Sequence, residues 1–377
     1  MTKRKTVLLI KSNLMVEETR RPKLVKILDN YHIISISWDR KRKSTVIGDP
    51  TLYKNHEEIS LRFKAPFGIQ SIIFLPIWWS FLAISLIKLE WDLVHVINFD
   101  SIIPAVFVAK IKRKPIVYEI LDLYIDQMVL PSWIRQIGLR IDKIFMALVN
   151  AIIIVDDCQI KEISGIPNHN IITIYDAPQD VYTSNDKRNG SRNVFTLFYA
   201  GILDSARQLN LDKVFEAVKN IDDVEFIIAG YGDLTKKIES WANEFPSKIR
   251  FLGSISHTDV LKLTSDSDLL IVLRDPIVPV NKYICGSKLF EAMMCGKPLI
   301  VNRRTSTAKK VLEENCGLVV DANNIKEIEE KIIYLKNSKS VIEELGINSR
   351  NAYKKKYDFL VMKNRLLSLY NDLLDSF

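Results

Sequence analysis

In the run GSKLFEAMMCGKP at 286–298, Lys288 and Glu291 stand three positions apart, so a helix would carry a cation and a carboxylate on one face. Gly286 and Ser287 open that helix, where unpaired backbone N–H groups can hold a phosphate. Positive charge for a diphosphate beside a carboxylate for vicinal hydroxyls is what a nucleotide needs. A surface ion pair on a helix stopping at Gly296 satisfies the same spacing. Glu119 and Asp122 follow an apolar run whose carboxyl end would present them. Either could accept or position a hydroxyl proton, and Asp122 could equally cap a helix. His95 lies inside an apolar run and reads first as a core histidine. Asp266-Ser267-Asp268 spells the D-x-D of some metal sites, but it directly precedes an apolar strand and reads as structural. Cys158, Cys285, Cys295 and Cys316 form no C-x-x-C, which argues against zinc and disulfides and for a reducing compartment.

The elements that must hold these residues alternate. Apolar, β-branched runs at 7–10, 32–37, 93–97, 116–119, 151–155 and 171–174 predict strands. Helical patterns fall between several of them, at 17–29 (with Pro22 near its start), 102–111 and 133–150. Such alternation predicts a parallel sheet covered on both faces. The polar stretch 179–193 predicts a linker. The alternation then restarts. Strands are expected at 195–200, 224–229, 249–252, 268–273, 298–301 and 318–320, and helices at 209–219, 236–244, 288–294, 324–336, 340–356 and 360–374. The fold class is therefore α/β, with two doubly wound, Rossmann-like halves and chemistry at the carboxyl edges of their strands. The expected boundaries are 1–178, linker 179–193, 194–357, and a C-terminal helix within 358–377.

Hydrophobic residues at 47% and charged residues at 26% exclude disorder, collagen and coiled coil for these 377 residues. The net charge of +8 suits anionic partners, yet no nucleic-acid module accompanies the basic runs at 3–5, 40–43 and 354–356. The stretch 65–87 carries no charge and exceeds the ~20 residues a spanning helix needs. A span would put the flanking strands on opposite sides of a bilayer, so it is rejected. A helix packed on the sheet remains, or one that also dips an apolar face into a membrane surface.

The 286–298 segment resembles the nucleotide-sugar motif of the retaining GT-B glycosyltransferases of family 4 (glycosyl transferases group 1), P/S-x-K-L-x-E-x-M-A-x-G-x-P-V-I. WDLVH at 91–95, PIVYEILDLY at 115–124, IAGYG at 228–232 and FLG at 251–253 resemble further family segments in the same order. The resemblance implies the GT-B fold: two Rossmann-like domains facing each other across a cleft, acceptor domain first and nucleotide-sugar domain second. It implies that Lys288 binds the donor diphosphate and Glu291 the ribose. Arg207 resembles an arginine some members use against the diphosphate, and Gly201 would let backbone approach the donor. Gly230 and Gly232 could do likewise or simply make a tight turn; Thr235 breaks a dinucleotide fingerprint. Ser254, Gly286, Ser287 and Leu289 complete the expected donor side. Asp122, Glu119, Lys288 and Arg207 are the catalytic candidates. Asn13, His95 and Tyr124 are expected on the acceptor side, and the C-terminal helix is expected to pack back on the first domain.

Ile202, Tyr283 and Leu121 stand where many relatives carry an arginine, a glutamate and a histidine. The activity implied is a retaining, hexosyltransferase-type transfer from a UDP- or GDP-linked sugar to a hydroxyl acceptor, a lipid-linked glycan or other cell-surface glycan precursor. Neither a cofactor nor a metal is expected, and nucleic acid is not an expected partner. The expected location is cytoplasmic, with peripheral attachment to an anionic membrane face. A non-catalytic or regulatory homologue, and a nucleotide-sugar epimerase on the same scaffold, are the alternatives.

Overall fold

Runs of β-branched and apolar residues form strands here because both sheet faces are covered. The computed structural model describes residues 4–14, 20–41, 55–66, 68–123, 132–166, 170–181 and 194–377. The chain divides into two compact units, Met1–Tyr175 with Met362–Phe377, and Asp176–Val361.

Unit 1 holds a seven-stranded parallel sheet in the order β3-β2-β1-β4-β5-β6-β7. Its strands are β1 (Thr6–Ile10), β2 (His32–Asp39), β3 (His56–Arg62), β4 (Leu93–Ile97), β5 (Ile116–Ile120), β6 (Ala151–Ile154) and β7 (Ile171–Thr173). β1 lies between β2 and β4, so the order reverses there and opens a crevice at the carboxyl ends. The strand β3 is an addition to the sequence expectation. HEEISLR is polar and only partly buried, as an edge strand permits. The helices are α1 (Arg20–Ile27), α2 (Leu75–Lys88), α3 (Ile102–Lys112) and α4 (Ser132–Leu148). Of the helix expected at 17–29, residues 17–19 lie outside the described residues, as do Lys3, Arg42, Lys43, Tyr124 and linker positions 182–193.

The uncharged stretch 65–87 is not one helix. A 3₁₀ segment, Gly68–Phe74, precedes α2. Leu75, Trp78, Leu82 and Leu86 recur at helical spacing and face the core. Trp78 stacks on Trp38 at 5.9 Å and donates to Ser101 Oγ at 3.1 Å. Trp79 donates to the Asp100 carbonyl at 2.8 Å. Both tryptophans are thus anchored inward, which settles α2 on the sheet.

Unit 2 holds a six-stranded parallel sheet in the order β10-β9-β8-β11-β12-β13. These are β8 (Phe195–Ile202), β9 (Val224–Tyr231), β10 (Ile249–Phe251), β11 (Leu269–Val272), β12 (Leu299–Asn302) and β13 (Gly317–Val320). Its reversal lies between β8 and β11. The helices are α5 (Leu211–Val218), α6 (Thr235–Glu244), α7 (His257–Asp266), α8 (Pro279–Tyr283), α9 (Ser287–Met294), α10 (Ser306–Glu313), α11 (Ile325–Asn337) and α12 (Lys339–Ala352). The helix expected over 340–356 ends in a π turn, Tyr353–Tyr357. Lys354 and Lys356 of that turn pair with Asp180 and Glu314, so two of the three lysines of this run are engaged in ion pairs within unit 2.

The last helix, α13 (Phe359–Asp375), belongs from Met362 onward to unit 1. Met362, Leu366 and Tyr370 are buried, Tyr31 donates to Asn371 Oδ1 at 3.0 Å, and Lys363 pairs with Asp29.

Candidate functional site

At the carboxyl edge of the unit 2 sheet, α9 begins at Gly286, whose side gives no cap, so the first-turn amides of Ser287 and Lys288 point outward. Lys288 reaches back over β8. A methyl group at Gly201 would lie 2.6 Å from both its Cε and its Nζ, so a larger residue there would push the amine aside. The Nζ lies 5.6 Å from the ring centroid of Tyr199. Arg274, at the end of β11, lies against the same helix start, 3.2 Å from where a Gly286 Cβ would sit. Burial, then Arg274, lowers the Lys288 pKa to about 8; Glu291 opposes the shift and Arg207 adds to it. Three cations therefore converge on one small region, which is a site for concentrated negative charge.

The loops carrying them are tied together. Buried Asn281 donates to the carbonyls of Arg207 (3.1 Å) and Asp275 (2.9 Å). Asn302 holds the Arg274 carbonyl at 3.0 Å, and the Asp275 amide donates to the Gln208 carbonyl at 2.9 Å. On the same α9 face, Glu291 is buried and its Oε1 lies 3.2 Å from His257 Nε2 at the start of α7. Arg274, His257, Tyr199 and Asn281 carry no sequence signal that singles them out.

Other expected donor residues divide. Gly201, Arg207, Gly286, Ser287, Lys288 and Glu291 share this edge. Gly230 and Gly232 are glycines because neighbouring backbone fills their side: a Cβ would lie 1.9 Å from the Gly201 carbonyl oxygen and 2.4 Å from that of Leu203. Ser254 is exposed on the loop after β10, beside Gly253, whose carbonyl accepts from Gly230 N–H at 2.8 Å. Leu289 is a correction: its side chain is buried in the core, so it has nothing to offer a donor directly.

In unit 1 two further corrections follow from burial. Glu119 and His95 are both completely inaccessible. His95 Nε2 lies 2.9 Å from Glu119 Oε2, Arg20 Nε donates to Glu119 Oε1 at 2.6 Å, and His95 Nδ1 lies 2.7 Å from Tyr370 Oη. Burial would raise the Glu119 pKa, but Arg20 and His95 hold it down to about 2. A carboxylate so engaged is a structural anchor rather than a proton acceptor, and His95 is a core residue rather than an acceptor ligand. Asp122 stands half-buried just past β5, and Asn13 lies past β1 with its carbonyl accepting from Arg21. The same edge carries Asp100, which no sequence pattern marks. Burial raises its pKa against hydrogen bonds from Ser12 and Ser101 and the charge of Arg40.

Asp268 accepts from the Thr196 amide at 2.8 Å at the amino ends of β8 and β11, so the D-x-D serves strand pairing. Asp156, Asp157 and Cys158 lie close together, but Asp156 caps a 3₁₀ turn through Cys158 N–H at 2.8 Å.

Known proteins resemble this chain in sequence over its second half and in fold. The family described as Glycosyl transferases group 1 matches residues 184–355. An uncharacterized glycosyltransferase of Methanocaldococcus jannaschii, MJ1178, is 29% identical over 169 residues, 45% of this chain and 46% of its own. The capsular polysaccharide biosynthesis glycosyltransferase CapM of Staphylococcus aureus is 25% identical over 46% of this chain and 53% of its own. The chain thus spans about half the length of these relatives. Among solved structures, Anabaena HepE in complex with UDP superposes with a TM-score of 0.74 at 14% identity, covering 98% of this chain and 100% of that one. Sucrose-phosphate synthase from Thermosynechococcus elongatus gives 0.77 at 15%, covering 99% and 100%. Residues 184–355 accordingly match the model of Glycosyl transferases group 1, within a chain that has the GT-B fold.

Proposed function

We propose that the protein is a retaining glycosyltransferase that moves a sugar from a UDP- or GDP-linked donor to a hydroxyl of a lipid-linked glycan precursor, without a metal. The observation that carries this reading is the convergence of Lys288, Arg274 and Arg207 at the opening of α9, with Glu291 one helical turn on. The diphosphate lies against the three cations and the α9 amides, and Glu291 accepts from the ribose hydroxyls. The UDP held by HepE, a protein of the same fold, supports this choice of ligand.

The reaction breaks the bond between the sugar's anomeric carbon and the diphosphate oxygen and forms one to the acceptor oxygen. The acceptor's proton leaves with the departing diphosphate. Negative charge grows on that diphosphate in the transition state, and preorganised cations stabilise it there more than in the ground state. Because Lys288, Arg274 and Arg207 supply this charge, the site has what a metal would otherwise provide. Asp122, half-buried at the carboxyl edge of the unit 1 sheet, is the carboxylate we assign to orienting an acceptor.

Calorimetry with UDP, GDP, ADP and their sugars tests the reading. UDP or GDP binding that persists in chelator, followed by NMR of the product anomer, is expected. Absence of binding by every nucleotide would overturn it.

A further inference from the structure

We propose that His257 is a positioning residue of the nucleotide site: it presets the Glu291 carboxylate to receive a ribose with both hydroxyls intact. This role rests on the ribose contact proposed for Glu291 and adds the group that decides how well that contact is made. Lys288 and Glu291 stand three positions apart on α9, the spacing at which a cation and a carboxylate on one helix pair with each other. Collapsed together, the two would cancel as ligands for phosphate and hydroxyl. In the structure they diverge. Lys288 reaches over β8, against Gly201, with its Nζ 5.6 Å from the Tyr199 ring centroid. Glu291 Oε1 turns to α7, where His257 Nε2 lies 3.2 Å away.

The two ends of this contact differ. The Glu291 side chain is 11% exposed and that of His257 62%. A carboxylate only accepts, so Nε2 carries the proton and donates it to Oε1. His257 is itself held in place. It is the first residue of α7, and Ser256 caps that helix, its side chain accepting from the Asp259 amide at 3.1 Å. A ring carried on a capped helix thus reaches across to a long side chain on another. An unanchored glutamate would lose rotamer freedom when it bound a ligand, which costs affinity. Here that freedom is already lost on folding. A surface His–Glu pair with no further role would contribute little to stability and nothing to the choice of ligand.

Calorimetry of the full chain with UDP and GDP, each beside its 2′,3′-dideoxy analogue, separates positioning from structure. Wild type is expected to favour the ribose form of the nucleotide it binds. His257→Ala should weaken that ribose form about five- to tenfold, the size of one hydrogen bond. The dideoxy form and the melting temperature should stay as in wild type. His257→Gln, which keeps an N–H donor, should restore most of the affinity. In a Glu291→Ala background, His257→Ala should add no further loss, because the carboxylate it positions is gone. Equal weakening of ribose and dideoxy forms would overturn the proposal, as would a ribose affinity that His257→Ala leaves unchanged. So would losses that add in the double variant. Wild type that binds ribose and dideoxy forms alike would take Glu291 away from the ribose and His257 with it. Wild type that binds neither nucleotide would overturn the donor reading itself, and this role of His257 would fall with it.

Discussion

In unit 1 the buried Glu119 carboxylate is answered by Arg20 on one oxygen and His95 on the other, whereas in unit 2 Lys288, Arg274 and Arg207 crowd together with Glu291 as counter-charge. The first cluster is closed: its opposite charges face one another in the buried core. The second is an excess of one sign at the mouth of a helix, where burial and then Arg274 already lower the Lys288 pKa. Compensated charge at depth is architecture, and an excess of one sign at a strand edge suits a charged ligand.

Removing one partner from the closed cluster should have the largest effect. Arg20→Met leaves Glu119 buried beside His95 alone, at a cost of about 3–5 kcal/mol in denaturant unfolding. A loss below about 1 kcal/mol would mean that water reaches the carboxylate after all. Next in size, Lys288→Ala should weaken UDP binding about 10–100-fold, because it removes a charge-assisted hydrogen bond to phosphate, with no fall in melting temperature. If affinity holds and the protein melts early instead, the two clusters are the same kind of thing and the comparison fails. Asn281→Ala sharpens the contrast by loosening the loops under Arg207 and Asp275 while leaving every cation in place. Its expected cost is about 1 kcal/mol, read as a several-fold weaker UDP affinity with little change in stability.

The smallest effect is a fraction of a proton. Lys288 sits at about 8 in the free protein, below its ordinary value of 10.5. The folded state therefore binds fewer protons than the unfolded one between those values, and this group's contribution to stability rises with pH there. A bound diphosphate restores the charge. Binding of a nucleotide sugar at about pH 8 to 9 should take up protons, seen as a dependence of the calorimetric enthalpy on buffer, and should not do so at about pH 6.5. Proton release near pH 8, or uptake that survives in Lys288→Met, would remove Lys288 from the site.

Both sheets and the α9 pair were legible because their information is local. β-branched runs declare buried strands, and Lys288 and Glu291 share a face whatever surrounds them. Arg274 and His257 were not, since they reach α9 from separate loops and no spacing rule links positions 257, 274 and 288. β3 escaped because an edge strand need not be apolar. Glu119 misled for a related reason: its position at a strand end was right, but its partners Arg20 and His95 are distant in sequence. The apolar stripe that α4 leaves exposed, Trp133, Ile137, Ile141, Ile144 and Leu148, shows a further limit, because helical periodicity says that one side is apolar and not whether that side faces a core or the outside.

The return of α13 to unit 1 also dictates an order of events during synthesis. The His95 ring completes its hydrogen bonding with Tyr370, 275 residues later in the chain. Until that helix emerges from the ribosome, unit 1 has a sheet but lacks the groove filler supplied by Met362, Leu366 and Tyr370. Unit 2, continuous from Asp176 to Val361, is complete before then. The half made first is thus the half finished last, and a nascent chain stalled short of α13 would present an open core to chaperones and proteases.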